Sequence, residues 1–186
     1  MLLPDWMCST LASDGAGGHG ALPYWIQAQS PEATVAGPAL VVSVTVDDNS
    51  PMREVTSRAH QAGTVLVVAG AADSKTAVLG DLVAHELLRS GVVAVVTDGL
   101  IRDSRAVSAL GLAVWARGTT PVASRKDGTG SVGGSVEIDG VTIADGDLVI
   151  ADADGVVVWP AAQAASYLER ADDKRIADEK RAAAGN

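Results

Sequence analysis

Apolar residues in this chain gather in short β-branched runs, and each run is closed by glycine, proline or an acidic turn. Ala39 to Val46 (ALVVSVTV) follows Gly37-Pro38 and stops at Asp47-Asp48-Asn49, the pattern of a buried strand entering a turn. Thr64 to Ala69 (TVLVVA) and Val92 to Thr97 predict two further buried strands, and Leu112 to Ala116 predicts another. Helical segments fall between them. One runs from Pro51 to about Ala62, with Ser50 as N-cap and Gly63 as its stop. A second runs from Lys75 or Leu79 to Arg89, closed by Gly91, and a short third runs from beyond Asp103 to Leu110, capped by Gly111. Two successive strand-helix-strand passages predict a partly parallel sheet with right-handed crossovers.

The two ends follow other rules. Near the N-terminus, Asp14-Gly15-Ala16-Gly17-Gly18 carries too much glycine to remain helical, so at most a short helix precedes it. Gly118 to Gly134 is rich in Gly, Ser and Thr without apolar periodicity, which predicts a long surface excursion suited to substrate or subunit contact. Four short strands follow, Ser135 to Ile138, Val141 to Ile143, Leu148 to Ala151 and Val156 to Trp159. Asp-Gly turns separate them, and the expectation is an antiparallel meander. Pro160 opens a last helix to about Ala184, whose charged outer half, Arg170 to Arg181, is expected to be exposed or packed on another chain.

Composition narrows the picture. Phe is absent, 47% of the residues are apolar, and Ala, Val and Gly dominate the composition, so small-residue helices should pack on β-branched strands in a single α/β domain spanning 1–186. The net charge of −9, with no basic cluster, argues against nucleic acid or an acidic membrane surface as partner. One cysteine, Cys8, excludes an internal disulfide framework. No signal peptide or membrane-length apolar run is present, so a soluble cytoplasmic protein is expected.

The candidate chemistry lies between Gly80 and Asp103. Gly80-Asp81-Leu82-Val83 opens a helix, where free backbone N–H groups and the positive end of the dipole favour a carboxylate. Arg102-Asp103 follows the Val92 to Thr97 strand, at the sheet edge where α/β proteins commonly bind ligands. Arginine offers a planar fork to a carboxylate, and aspartate offers a hard oxygen to Mg²⁺ or Mn²⁺, which Asp81 could also reach through water. A loop end with an acidic first turn, and a plain surface Arg-Asp pair, fit the same residues. His85 shares a helical face with Asp81 and is either a nearby base or ligand or a packed helix residue. His60 suits a helix C-terminus, His19 has no assignable role, and Cys8 has no positive neighbour to activate it.

At these residues the chain resembles the RraA-like family, which includes class II 4-hydroxy-4-methyl-2-oxoglutarate/4-carboxy-4-hydroxy-2-oxoadipate aldolases and the regulator of ribonuclease E activity. The run GDLVAHELLRSGVVAVVTDGLIRD carries an acidic residue, Asp81, then twenty residues, then Arg102-Asp103, as the family signature does. Ala36-Gly37-Pro38-Ala39, Asp48-Asn49, Trp115 to Pro121, Gly146 to Val149 and Asp152 to Val157 follow in family order. The resemblance implies a layered αββα fold with C-terminal antiparallel strands, assembled as a homotrimer or homohexamer.

It also implies a divalent-metal-dependent lyase that cleaves a pyruvate-containing oxo acid, with possible oxaloacetate decarboxylation. Arg102 and the backbone of Gly80, Asp81, Leu82 and Val83 would bind the pyruvyl group, Asp103 would hold Mg²⁺ or Mn²⁺, and Asp81 would orient water on the metal. The alternative is a non-catalytic protein-binding regulator similar to the ribonuclease E inhibitor. In the family an acidic residue often arrives from a neighbouring subunit's C-terminal region, for which Glu179 is a loose candidate. His85 stands where the family more often has a small residue, and the segment Gly15 to Gly20 is unusually glycine-rich for it.

Overall fold

In the computed structural model, which describes residues 3–29 and 32–184, the first half runs α1 (Ser9–Ala16), β1 (Gln27–Ala28), β2 (Val35–Val44), α2 (Met52–Thr56), β3 (Thr64–Ala69), β4 (Ala77–Leu79) and α3 (Asp81–Ser90). The second half adds β5 (Val92–Thr97), β6 (Leu100–Ile101), α4 (Ser104–Ala109), β7 (Ala113–Ala116), β8 (Gly118–Thr119) and β9 (Gly130–Val132). It ends with β10 (Ser135–Ile138), β11 (Val141–Ala144), β12 (Leu148–Asp152), β13 (Gly155–Trp159) and α5 (Ala164–Ala184).

The main sheet is mixed, in the order β1, β7, β5, β3, β2, β12, β13, with β9 also pairing with β2. Strands β2, β3, β5 and β7 are parallel, and the C-terminal hairpin β12–β13 joins β2 in the antiparallel sense. Alternation assigns the faces. Val42, Leu66, Val68, Val95 and Val114 point outward into a core shared with Val55 of α2 and Ala84 and Leu87 of α3. Val41, Val65, Val67, Val96 and Trp115 point inward and meet Val149, Ala151, Val156 and Val158 from the hairpin. The other face of that hairpin, with Ile150, Val157 and Trp159, packs on Ala12 of α1 and Ala171 of α5.

The sheet therefore curls around one apolar interior with helices outside on both sides, which realises the expected αββα layering. Trp115 closes the curl: its indole N–H donates to the Asp152 carbonyl at 2.7 Å, linking β7 to the end of β12 across the interior. Opposite Thr64 and Val65, β5 carries an additional residue, Val93, in a bulge, so Val92 and Val95 share the outer face.

Several expectations need correction. Helix α1 runs through Gly15, because that glycine lets α5 approach closely: a Cβ there would lie 2.5 Å from the Tyr167 carbonyl oxygen and 2.9 Å from the Ala171 Cβ. The helix then ends at Gly17, at φ 64°. Helix α2 stops at Thr56, short of Ala62, as the hydroxyls of Thr56 and Ser57 take the carbonyls of Arg53 and Glu54 and the His60 ring meets the Val55 carbonyl at 2.8 Å. Lys75 does not begin a helix. Residues 77–79 form β4, and α3 starts at Asp81.

The predicted meander is two separate hairpins. Strands β10 and β11 pair only with each other, and Ile138 and Ile143 pack them against the inner core, while β12 turns away to pair with β2. The Asp145 carboxylate marks the parting, accepting from Val41 N and Gly134 N at 2.8 Å each. Among the described residues no helix is long and apolar enough to cross a membrane.

Candidate active site

A three-stranded parallel sheet, separate from the main one, builds the site. Strands β4, β6 and β8 pair in that order, with Leu79 opposite Ile101 after a register shift past Ala77, and Ile101 opposite Thr119. Gly80, Arg102-Asp103 and Thr120 leave the carboxyl ends of these strands on one side. Two main-chain bonds fix the exits, Arg102 N to the Leu79 carbonyl at 3.0 Å and Thr120 N to the Ile101 carbonyl at 2.9 Å. The Arg-Asp pair thus follows this small sheet and not β5 directly.

Gly80 is the N-cap of α3, in extended conformation with φ −139°. Lack of room makes it glycine. A Cβ at this position would lie 2.6 Å from Asp103 Oδ2, 2.8 Å from Arg102 Nε and 2.9 Å from Arg102 Cγ. Bare backbone at residue 80 is what lets both side chains lie across the first turn of α3. Arg102 Nε stands 3.3 Å from Asp103 Oδ2, with the two side chains 36% and 41% exposed, so the pair contributes little to stability.

Asp103 sits at φ 53°, the left-handed region that Asp tolerates better than most residues, as the N-cap of α4. Its Oδ2 is 3.5 Å from Asp81 N, and Asp81 Oδ1 accepts from Leu82 N at 2.8 Å. Two of the four first-turn N–H groups expected to face a ligand therefore already meet carboxylate oxygens.

The arrangement opens into a depression of about 120 Å³. Gly80, Leu82, Val83 and Arg102 line it together with Asn49, Ser124 and Lys126, three residues that sequence reasoning did not assign to the site. Asn49 Nδ2 donates to the Val78 carbonyl at 2.8 Å, and Ser124 Oγ donates to the Ala77 carbonyl at 2.9 Å, so both are tied to β4. Lys126 comes from the long excursion, which is anchored by bridges from Arg125 to Asp48 and from Ala123 to Ala77.

Asp48 joins these loops. Its buried carboxylate accepts from Ser50 N at 2.7 Å, Asp127 N at 2.9 Å and Gly128 N at 2.7 Å. Burial alone would raise its pKa, but the hydrogen bonds from Ser50, Gly128 and Asp127 outweigh that and hold the carboxyl down at about 2. Asp98, between β5 and β6, shows the opposite balance. Burial raises its pKa despite bonds from Gly70 N and Ala71 N at 2.9 Å each and the nearby Arg117 charge.

The donor set bears on a metal. Among the described residues, no three His, Cys, Asp or Glu side chains converge as a metal-binding group. A cation here would have one carboxylate, Asp103, with Asp81 reaching it through water and substrate oxygens completing the shell. That set suits a hard, hydrated ion such as Mg²⁺ or Mn²⁺ better than a closed Cys or His site. His85 is exposed and lines neither this depression nor the groove beside it. His19 is exposed, and Cys8 meets Thr10 Oγ1 at 3.1 Å. Glu179, on α5, takes Arg175 of its own helix at 2.7 Å.

Comparison with known proteins bears on the family and the fold. The family model described as "RraA-like: Aldolase/RraA" matches residues 9–158. A protein of Halalkalibacterium halodurans named "Putative 4-hydroxy-4-methyl-2-oxoglutarate aldolase" is 36% identical over 93% of this chain and 82% of its own length. The solved RNA-processing inhibitor RraA from Thermus thermophilis superposes with a TM-score of 0.74 at 30% identity, over 83% of this chain and 93% of that one. An unusual member of the RNase ES inhibitor RraA protein family from Streptomyces coelicolor gives 0.82 at 29% identity, over 94% and 92%.

Proposed function

The chain belongs to the RraA-like Aldolase/RraA family, and on that premise we propose that it is a divalent-metal-dependent lyase cleaving an oxo acid of the 4-hydroxy-4-methyl-2-oxoglutarate type. The observation that carries this reading is the clearance at Gly80, which lets Arg102 and Asp103 lie together over the start of α3. The Arg102 fork takes the carboxylate of the pyruvyl group, and the first-turn N–H groups of Gly80 and Val83, which meet neither carboxylate, add donors at the positive end of the helix.

Asp103 would hold Mg²⁺ or Mn²⁺, which when bound would supply Lewis-acid stabilisation of the developing negative charge. In the retro-aldol step the bond between C3 and C4 breaks as the C4 hydroxyl loses its proton and becomes a carbonyl. The electron pair passes into the enolate of pyruvate, which is then protonated. Asp81 orients the water that receives the hydroxyl proton, and Arg102 offsets the charge growing on the pyruvyl half. Loss of carbon dioxide from oxaloacetate passes through the same enolate, so the site should also catalyse that decarboxylation.

The test is pyruvate release from 4-hydroxy-4-methyl-2-oxoglutarate and from oxaloacetate, with Mg²⁺, with EDTA, and with Asp103→Ala. Turnover that EDTA and the substitution both abolish is expected; no metal-dependent turnover of either compound would refute the lyase. Two solved relatives are described as RNA-processing or ribonuclease inhibitors, which favours a second reading, a non-catalytic regulator that binds a large ribonuclease. Inhibition of a ribonuclease E-type enzyme by a catalytically silent chain would support it.

A further inference from the structure

A second, larger groove of about 640 Å³ adjoins the site and lies between α2 and α3. The two depressions share Asn49, Val83 and Lys126 in their linings, so they lie side by side. On α3, Val83, Glu86, Arg89 and Ser90 recur at three- and four-residue spacing and present one stripe to the groove, with Arg53 facing it from α2. The charge here runs against that of the chain, whose net charge is −9. Arg53, Arg89 and Lys126 line the groove with no ion-pair partner among the described residues, whereas Arg58 is held by Glu54 at 2.8 Å. Glu86 is the single carboxylate lining it. Where the two depressions meet, Asn49 is 8% exposed, and its Oδ1 is buried without a hydrogen-bond partner.

We propose that this groove is the subsite for a second carboxylate of the substrate, lying beyond the scissile bond, with Arg53 and Arg89 as its counter-ions. The proposal rests on the reading that Gly80 and Arg102 hold the pyruvyl end. Arg89 is eight residues along α3 from Asp81, about 12 Å of helical rise, and its side chain leans back toward the helix N-terminus. Pyruvate alone would fill only the smaller depression. An oxo acid carrying a further carboxylate places that charge in the groove, where two unpaired guanidinium groups can bind it. Asn49 stands at the boundary and lines both depressions.

Calorimetric titration of the full-length protein in Mg²⁺ buffer tests this with pyruvate and with 2-oxoglutarate, which shares the pyruvyl end, adds the distal carboxylate and lacks the cleavable hydroxyl. The expected result is that wild type binds 2-oxoglutarate about tenfold more tightly than pyruvate. Arg53→Gln/Arg89→Gln, both exposed positions, should abolish that preference. Equal affinity in wild type, or a preference that survives the double substitution, would overturn the subsite while leaving the pyruvyl site standing. Failure of wild type to bind pyruvate at all would instead overturn the pyruvyl site, and the subsite with it.

Discussion

At Gly80, space decides the residue. Its extended φ of −139° would suit any amino acid, yet a Cβ would press on Asp103 Oδ2 and Arg102 Nε. Both contacts are with side chains that can swing away, so Gly80→Ala should cost the fold less than about 1 kcal/mol. The site should lose more: displacing two functional groups by about an ångström predicts a fall in kcat/KM of about 100-fold. Steady-state pyruvate release together with thermal denaturation checks both halves. Asp81, Arg102 and Asp103 could be found in the sequence because their spacing follows one local passage from helix to strand to loop. Asn49 and Lys126 could not, because long-range contacts bring them to the site: Asn49 through its bond to the Val78 carbonyl, and Lys126 through the Arg125–Asp48 bridge and the Asp48 bonds to residues 127 and 128.

That carboxylate acts at the level of elements, since it fastens the turn after β2 to the excursion before β9. Its pKa in the fold is about 2, below the usual carboxylate range, so its contribution is fully present above that range and is lost as pH falls toward 2. A shift of this size corresponds to on the order of 2 kcal/mol. Asp48→Asn should therefore be less stable than wild type by about that amount near pH 7, and the gap should narrow as pH falls from about 4 toward 2. Urea denaturation at several pH values measures it; a constant gap would show that ionisation of Asp48 does not support the clamp. The elements themselves were unequally readable. β3 and β5 match their apolar runs because burial on both faces leaves little else for such residues to form. β4 and β6 have three and two residues and exist only by pairing within the small sheet they form with β8, so no local pattern announces them.

For the whole molecule, closure of the curled sheet depends on few groups. The Trp115 indole N–H is buried, and its acceptor is the Asp152 carbonyl at the far end of the sheet order. Trp115→Phe leaves that carbonyl unpaired in the interior, for an expected loss of about 1–3 kcal/mol by chemical denaturation. The αββα layering was accessible from the resemblance. The parting of the C-terminal strands into two hairpins was not, because Asp145 sets it through bonds to residues 41 and 134.

Helix α1 packs on elements that follow it in the chain by more than a hundred residues. Helix α1 rests on β12, β13 and α5, and Asp152 of β12 caps its first turn by accepting from Ser9 N at 2.7 Å and Ser9 Oγ at 2.6 Å. During synthesis on the ribosome, α1 emerges well before its docking surface, which is complete only once residues near 171 have left the exit tunnel. Docking of α1 therefore waits for α5, and a nascent chain halted before α5 would carry α1 with its apolar face in water.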